Sequence, residues 1–171
     1  MSKRILVAYA SKYGATEAIA ERIVKTLEQS GLQVDCLAAH RAGDLAPYGA
    51  VVLGSAVYAG QWRKEAAAFF KANAEALAER PTWLFSSGPT GTGDPVALMH
   101  GWRLPKGLQP VADRVAPRDI AVFHGFADPA RMNRLERIMI KAVKAPAGDF
   151  RDNAAIDAWA KRIAADLSSR E

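Results

Sequence analysis

Tyr9-Ala10-Ser11-Lys12-Tyr13-Gly14-Ala15-Thr16-Glu17 is the stretch on which the reading of this chain turns. Ahead of it runs Arg4-Ile5-Leu6-Val7-Ala8-Tyr9, which reads as the first strand. Behind it Ile19, Ile23, Val24 and Leu27 recur at helical spacing, and Gly31 follows where a left-handed C-terminal residue ends a helix. The quoted residues therefore form a strand-to-helix loop. Ser11 and Thr16 place two hydroxyls beside Gly14, which tolerates strained backbone angles. A helix N-terminus adds free N–H groups and partial positive charge, so the segment from Ser11 to Thr16 is suited to an anion. The plain alternative is an ordinary N-cap, since Ser and Thr are common before helices.

Outward from this loop, strands and helices alternate, the pattern of a parallel sheet covered on both faces. The spacing predicts a helix over 15–29 and strands over 33–37, 50–55, 82–86 and 119–124. Further helices are predicted over 64–79, which is Ala-rich, and over 152–168 with Ile156, Trp159, Ile163 and Leu167 on one side. Residues 88–117 hold many Gly and Pro and read as loops around short helical turns. No repeat, linker or low-complexity tract is visible, so residues 1–171 read as a single α/β domain.

Composition narrows the function. Charged residues make up 24% and apolar ones 50% of the chain, average for a globular protein with a sizeable core. No apolar run approaches the ~18 residues of a membrane span. A strand begins almost at the first residue and leaves no room for a signal peptide, so a cytoplasmic protein is expected. Cys36 is the one cysteine; it excludes an internal disulfide and reads as a small buried hydrophobe. His40, His100 and His124 lack metal-ligand spacing, so no metal is expected. No nucleophile elbow or P-loop is present, and no residue is assigned a catalytic role. The net charge of +5 is local: Arg131, Arg134, Arg137, Lys141 and Lys144 face only Glu136 in their stretch, which argues against a general nucleic-acid surface.

Ser-x-x-Gly-x-Thr directly after a first strand resembles the FMN phosphate loop of flavodoxins, and the resemblance extends over nearly the whole chain. It departs at Tyr13, where that family more often has Thr. The resemblance implies a three-layer sandwich around a five-stranded parallel sheet in order 2-1-3-4-5, with FMN at the switch point beside the first and third strands. It implies that Ser11, Lys12, Tyr13, Gly14, Ala15 and Thr16 hold the phosphate. A flavin ring also needs flat apolar walls and a few backbone donors. The loop after the third strand offers Ala56, Val57, Tyr58, Ala59 and Gly60, with Tyr58 and Trp62 as walls and Gly60 allowing close backbone approach. The loop after the fourth strand offers Ser87, Gly88, Pro89, Thr90 and Gly91 to ribityl hydroxyls and ring edges. His124 ends the fifth strand on the ligand side.

Some 25 residues between His124 and the last helix exceed what a minimal flavodoxin needs, an insertion over about 126–148. At 100° per residue, Met132, Leu135, Met139, Ala142 and Val143 gather on one side of 131–144, and Arg134, Arg137, Lys141 and Lys144 on the other. That amphipathicity suits an anionic membrane surface or an acidic partner; a surface helix with a solvated basic face is the plain alternative. Arg137-Ile138-Met139-Ile140-Lys141, then Gly148-Asp149 and the Trp-containing last helix, resembles the insert of menaquinone-dependent protoporphyrinogen dehydrogenases, with Gly54-Ser55-Ala56-Val57 in keeping. Met99, Trp102 and Leu104 depart from that group's more basic stretch. This resemblance implies an FMN-dependent oxidoreductase of heme biosynthesis, taking hydrogen from a porphyrinogen and passing electrons to quinone. The basic amphipathic pattern itself gives the expectation of peripheral contact at the inner membrane face through Arg131–Lys144. The alternative is a flavodoxin-type electron carrier, although carriers are usually acidic and this chain is basic. The oligomeric state has no signature in the sequence.

Overall fold

A computed structural model describes residues 4–170. The parallel strands are β1 (Arg4–Ala10), β2 (Val34–Ala38), β3 (Tyr48–Tyr58), β5 (Thr82–Ser87) and β6 (Ile120–Phe123), in spatial order β2-β1-β3-β5-β6. These are the five expected strands in the expected order. A short strand not foreseen, β4 (Gln61–Trp62), turns back antiparallel on the end of β3, pairing Val57 with Trp62 and Tyr58 with Gln61. Ala59 and Gly60 join them with φ of 50° and 72°, the positive values that a tight two-residue hairpin of the right twist demands at both central positions.

Each strand sends alternate residues to opposite faces, and this divides the core in two. Ile5, Val7, Ala50, Val52, Trp83 and Phe85 face α1 (Ala15–Gln29) and α7 (Asn153–Ser168), where Ile19, Ile23, Ile156 and Trp159 close the layer. Leu6, Ala8, Val51, Leu53 and Leu84 face α2 (Lys64–Ala72), α3 (Ala74–Ala78) and α5 (Gln109–Val115), meeting Phe70, Leu77 and Ala112. Gly54 on β3 lies against the Phe85 ring, and a Cβ there would overlap it.

Three local differences from the sequence reading have side-chain causes. The helix expected over 64–79 breaks at Asn73, whose side-chain amide donates to the Phe69 carbonyl at 2.9 Å and competes with the helical ladder. The region read as loops around short helical turns holds the four-residue α4 (Pro95–Leu98) and a longer helix, α5 of seven residues, which accepts Pro110 because a proline at a helix start lacks an N–H that would be unpaired anyway. Cys36 is half-buried at the margin of the α1/α7 layer instead of deep within it; desolvation pushes its thiol up to about 11, with Glu21 and Glu17 adding to the shift.

After β6 the chain makes an excursion stemmed by β7 (Phe126–Ala127) and β8 (Gly148–Asp149), an antiparallel pair matching Phe126 with Asp149 and Ala127 with Gly148. Between them stands α6 (Arg134–Ala142). It is shorter than the expected 131–144 because Asn133 caps it: the Asn133 side chain accepts from the Glu136 amide at 2.8 Å while Glu136 accepts from the Asn133 amide at 3.1 Å.

Candidate functional site

The carboxyl ends of β1, β3 and β5 open on one side of the sheet, at the switch point between β1 and β3. There lies a cavity of about 710 Å3, a volume that suits a small organic ligand or cofactor. Its inner wall is built by the three loops singled out in the sequence. Ser11, Tyr13, Ala15 and Thr16 come from the first; Ala56, Val57, Tyr58, Ala59 and Gly60 from the second; Ser87, Gly88, Pro89, Thr90 and Gly91 from the third.

The first loop has the form of an anion cradle. Gly14 occupies the N-cap of α1 in left-handed conformation, φ 89°, and no side chain caps the helix. The ladder begins with the Ala18 amide donating to the Gly14 carbonyl at 3.0 Å, so the preceding amides of the first turn are left to a ligand. The Gly14 amide donates to Ser11 Oγ at 3.1 Å and folds the serine back over the turn. Thr16 is buried at the base.

Lys12 and Gly14 do not line the cavity. Gly14 shapes the turn from below, whereas Lys12 reaches outward to α6 and forms an ion pair with Glu136. Tyr13 does the same: its hydroxyl donates to Glu136 Oε2, and its carbonyl accepts from the Arg131 guanidinium at 3.1 Å. The hydroxyl of Tyr13 is thus engaged by the excursion, which accounts for a tyrosine where a small hydroxyl residue was expected. Burial disfavours the Glu136 carboxylate, but the hydrogen bonds from Lys12, Tyr13 and the Asn133 amide outweigh it and hold the group below the ordinary carboxylate range. The same bond to Glu136, followed by one to Tyr13, raises Lys12.

Tyr58 presents a half-buried ring to the cavity, and burial raises its hydroxyl above the usual phenol value, with Glu136 adding to the effect. The other expected wall is corrected. Trp62 sits on β4 beneath α2, buried against Phe70 with ring centroids 6.0 Å apart, and its indole N–H donates to Ser86 Oγ at 2.8 Å. The β3–β4 hairpin turns it into the core, and it does not line the cavity. His124 also has a structural task. Its Nε2 lies 2.6 Å from the Gly93 carbonyl and its Nδ1 3.3 Å from the Pro89 carbonyl. The Gly125 amide donates to that Pro89 carbonyl at 2.9 Å, so this pair of residues pins the loop after β5. Close backbone packing completes the clamp: a Cβ on Gly125 would stand 3.1 Å from the Gly88 carbonyl oxygen.

The outer wall has no counterpart in the sequence reading. Leu98 and Met99 on one side and Met132, Met139, Ile140 and Pro146 on the other close over the cavity. The Asn133-x-x-Glu136 spacing is a visible helix-start signature; nothing in it indicates that Glu136 meets residues 12 and 13.

Among the described residues no cluster of histidine, cysteine, aspartate and glutamate is arranged to hold a metal, and no helix is long and apolar enough to cross a membrane. The sequence matches the model of the flavodoxin domain family over residues 6–154. Similar solved structures include the flavodoxin of Streptococcus pneumoniae TIGR4, 16% identical over 95% of this chain and 98% of that one, with a TM-score of 0.60. A cysteine-to-serine mutant of the Pseudomonas aeruginosa flavodoxin is 16% identical over 96% of this chain and 99% of that one, TM-score 0.58. The two-electron reduced flavodoxin of Megasphaera elsdenii is 21% identical over 82% and 99%, TM-score 0.55. At these identities the likeness is one of fold. No curated protein sequence matches significantly.

Proposed function

The chain belongs to the flavodoxin domain family, and from that premise we propose that it binds FMN in the cavity at the ends of β1, β3 and β5 and works as a flavodoxin-type electron-transfer protein. The observation that carries this reading is the convergence of an uncapped helix start and two further strand-end loops on one cavity of about 710 Å3. FMN, when bound, supplies one- and two-electron transfer, and the protein supplies binding, orientation and electrostatics.

The residues present fit that group. Ser11, Thr16 and the first amides of α1 meet the phosphate, where an anion is favoured without a direct cation. Thr90 Oγ1 is buried with no hydrogen-bond partner among the described residues, and its residue lines the cavity. A buried hydroxyl left unpaired is costly, and the polar edge of a bound flavin supplies the missing bond. Tyr58, Ala56 and Val57 form one apolar side of the ring site, and Gly88 to Gly91 the other, held in place by His124 and Gly125.

A second reading is an FMN-dependent oxidoreductase resembling the protoporphyrinogen dehydrogenases, with a porphyrinogen as donor and a quinone as acceptor. The excursion favours it, because Met132, Met139 and Ile140 roof a cavity that a bare electron carrier has no need to cover. The comparisons with known proteins lend it no support.

Two measurements test these readings. Fluorescence titration of the flavin-free protein is expected to give one FMN per chain and at least about tenfold weaker binding of riboflavin, which lacks the phosphate. Ser11→Ala and Thr16→Leu are expected to narrow that difference; equal affinity for FMN and riboflavin in the parent protein defeats the phosphate site. Anaerobic mixing of the FMN-loaded protein with protoporphyrinogen and then a menaquinone analogue separates the readings. Turnover selects the dehydrogenase, and its absence with rapid exchange to one-electron acceptors selects the carrier.

A further inference from the structure

We propose that the outward face of α6 docks on an anionic lipid surface, whatever the cavity holds. The apolar side expected from the sequence is split in the structure. Met132 and Met139 turn toward the cavity, while Leu135 and Ile138 stand 66% and 56% exposed on the far side of the helix. At 100° per residue Ile138, Ala142 and Leu135 form one continuous outer stripe, and Arg137, Lys141 and Arg134 lie directly beside it. Among the described residues, none of these three cations forms an ion pair, in contrast to Lys12 and Arg131 nearby. No residue of α6 is buried.

Exposed apolar side chains next to unpaired cations on one short helix suit a single kind of environment. The apolar stripe enters the acyl boundary and the cations meet phosphate headgroups. The one carboxylate of the helix, Glu136, points inward to Lys12 and Tyr13 and does not oppose this field. A folded acidic protein is a poorer match. A stable protein interface takes about 800 Å2 from each partner, whereas α6 has nine residues and extends about 14 Å. A lipid surface needs no shape complementarity and accepts so small a contact. With no membrane-crossing helix among the described residues, the contact lies in the interface plane.

Co-sedimentation of the full chain with phosphatidylcholine vesicles, with and without phosphatidylglycerol, tests this. Binding to the anionic vesicles is expected to be at least about tenfold tighter and to weaken with added salt. The double change Leu135→Asp and Ile138→Asp, and separately Arg137→Glu with Lys141→Glu, should each reduce it about tenfold or more, with thermal melts and FMN affinity unchanged because all four side chains are exposed. An Ile138→Trp reporter should gain a blue-shifted emission only with anionic vesicles. Equal binding to both vesicle types overturns the proposal, as does binding that survives the double aspartate change. Vesicles ignored while polyglutamate is bound through the same cations would mean a protein partner instead.

Discussion

The sheet and the excursion after it are held by opposite means. In the sheet, Leu6, Val7, Val51, Val52, Leu53, Leu84 and Phe85 are sealed from solvent, and their packing partners come from the helices on both faces. In the excursion α6 buries nothing completely and is fastened to the body by Glu136, Lys12, Tyr13 and Arg131. One region is secured by area removed from water, the other by a few polar contacts that salt, acid or a ligand can compete for. The scaffold can therefore stay fixed while the roof of the cavity answers to its surroundings.

Four substitutions and a fall in pH would break or sharpen that contrast. The largest effect belongs to Phe70→Ala, which empties a fully buried site under β3 and should cost about 3–5 kcal/mol in urea unfolding. Gly54→Ala comes next. Its new methyl meets the Phe85 ring, and relief by movement of packed neighbours should cost about 1–3 kcal/mol. Glu136→Ala should act differently, leaving the urea midpoint nearly in place while proteolysis within the excursion accelerates; equal acceleration across the sheet would deny the two-part view. Acid should reproduce it. The folded Glu136 lies below its ordinary value of 4.5, so its contribution is present above that value and is lost as the pH falls through the lower folded one. Amide resonances of α6 followed through an acid titration would locate the release below about 4.5. Smallest of all, Leu135→Ala should change stability by no more than about 0.5 kcal/mol, since its side chain meets mainly water.

What the sequence reveals follows the same division. The places of the five main strands along the chain and the bounds of α1 are legible because periodicity and strand-to-helix junctions are local signals, whereas the spatial order of the strands and the meeting of three loops at one end follow only from the likeness to flavodoxins. The β3–β4 hairpin is not legible, because its first turn position is Ala59, a residue rarely found at positive φ and so no marker of a turn. Trp62 is misplaced for the same reason: without the hairpin, it continues a loop at the cavity and does not turn under α2. The helical wheel finds the two chemical sides of α6, but cannot say which apolar residues look inward. That depends on where Lys12 and Tyr13 lie, more than a hundred residues earlier.

The excursion leaves and rejoins the body at neighbouring points. Ala127 stands opposite Gly148, and the Phe150 amide donates to the Gly125 carbonyl at 3.0 Å just below them. Such a two-stranded stem can be closed by a two-residue turn such as Asn-Gly, so the segment between is separable in the manner of a cassette. Cutting it out would leave a bare α/β sandwich with an uncovered cleft, and transplanting it onto a relative that ends β6 in the same way would carry the roof and its basic outer side together.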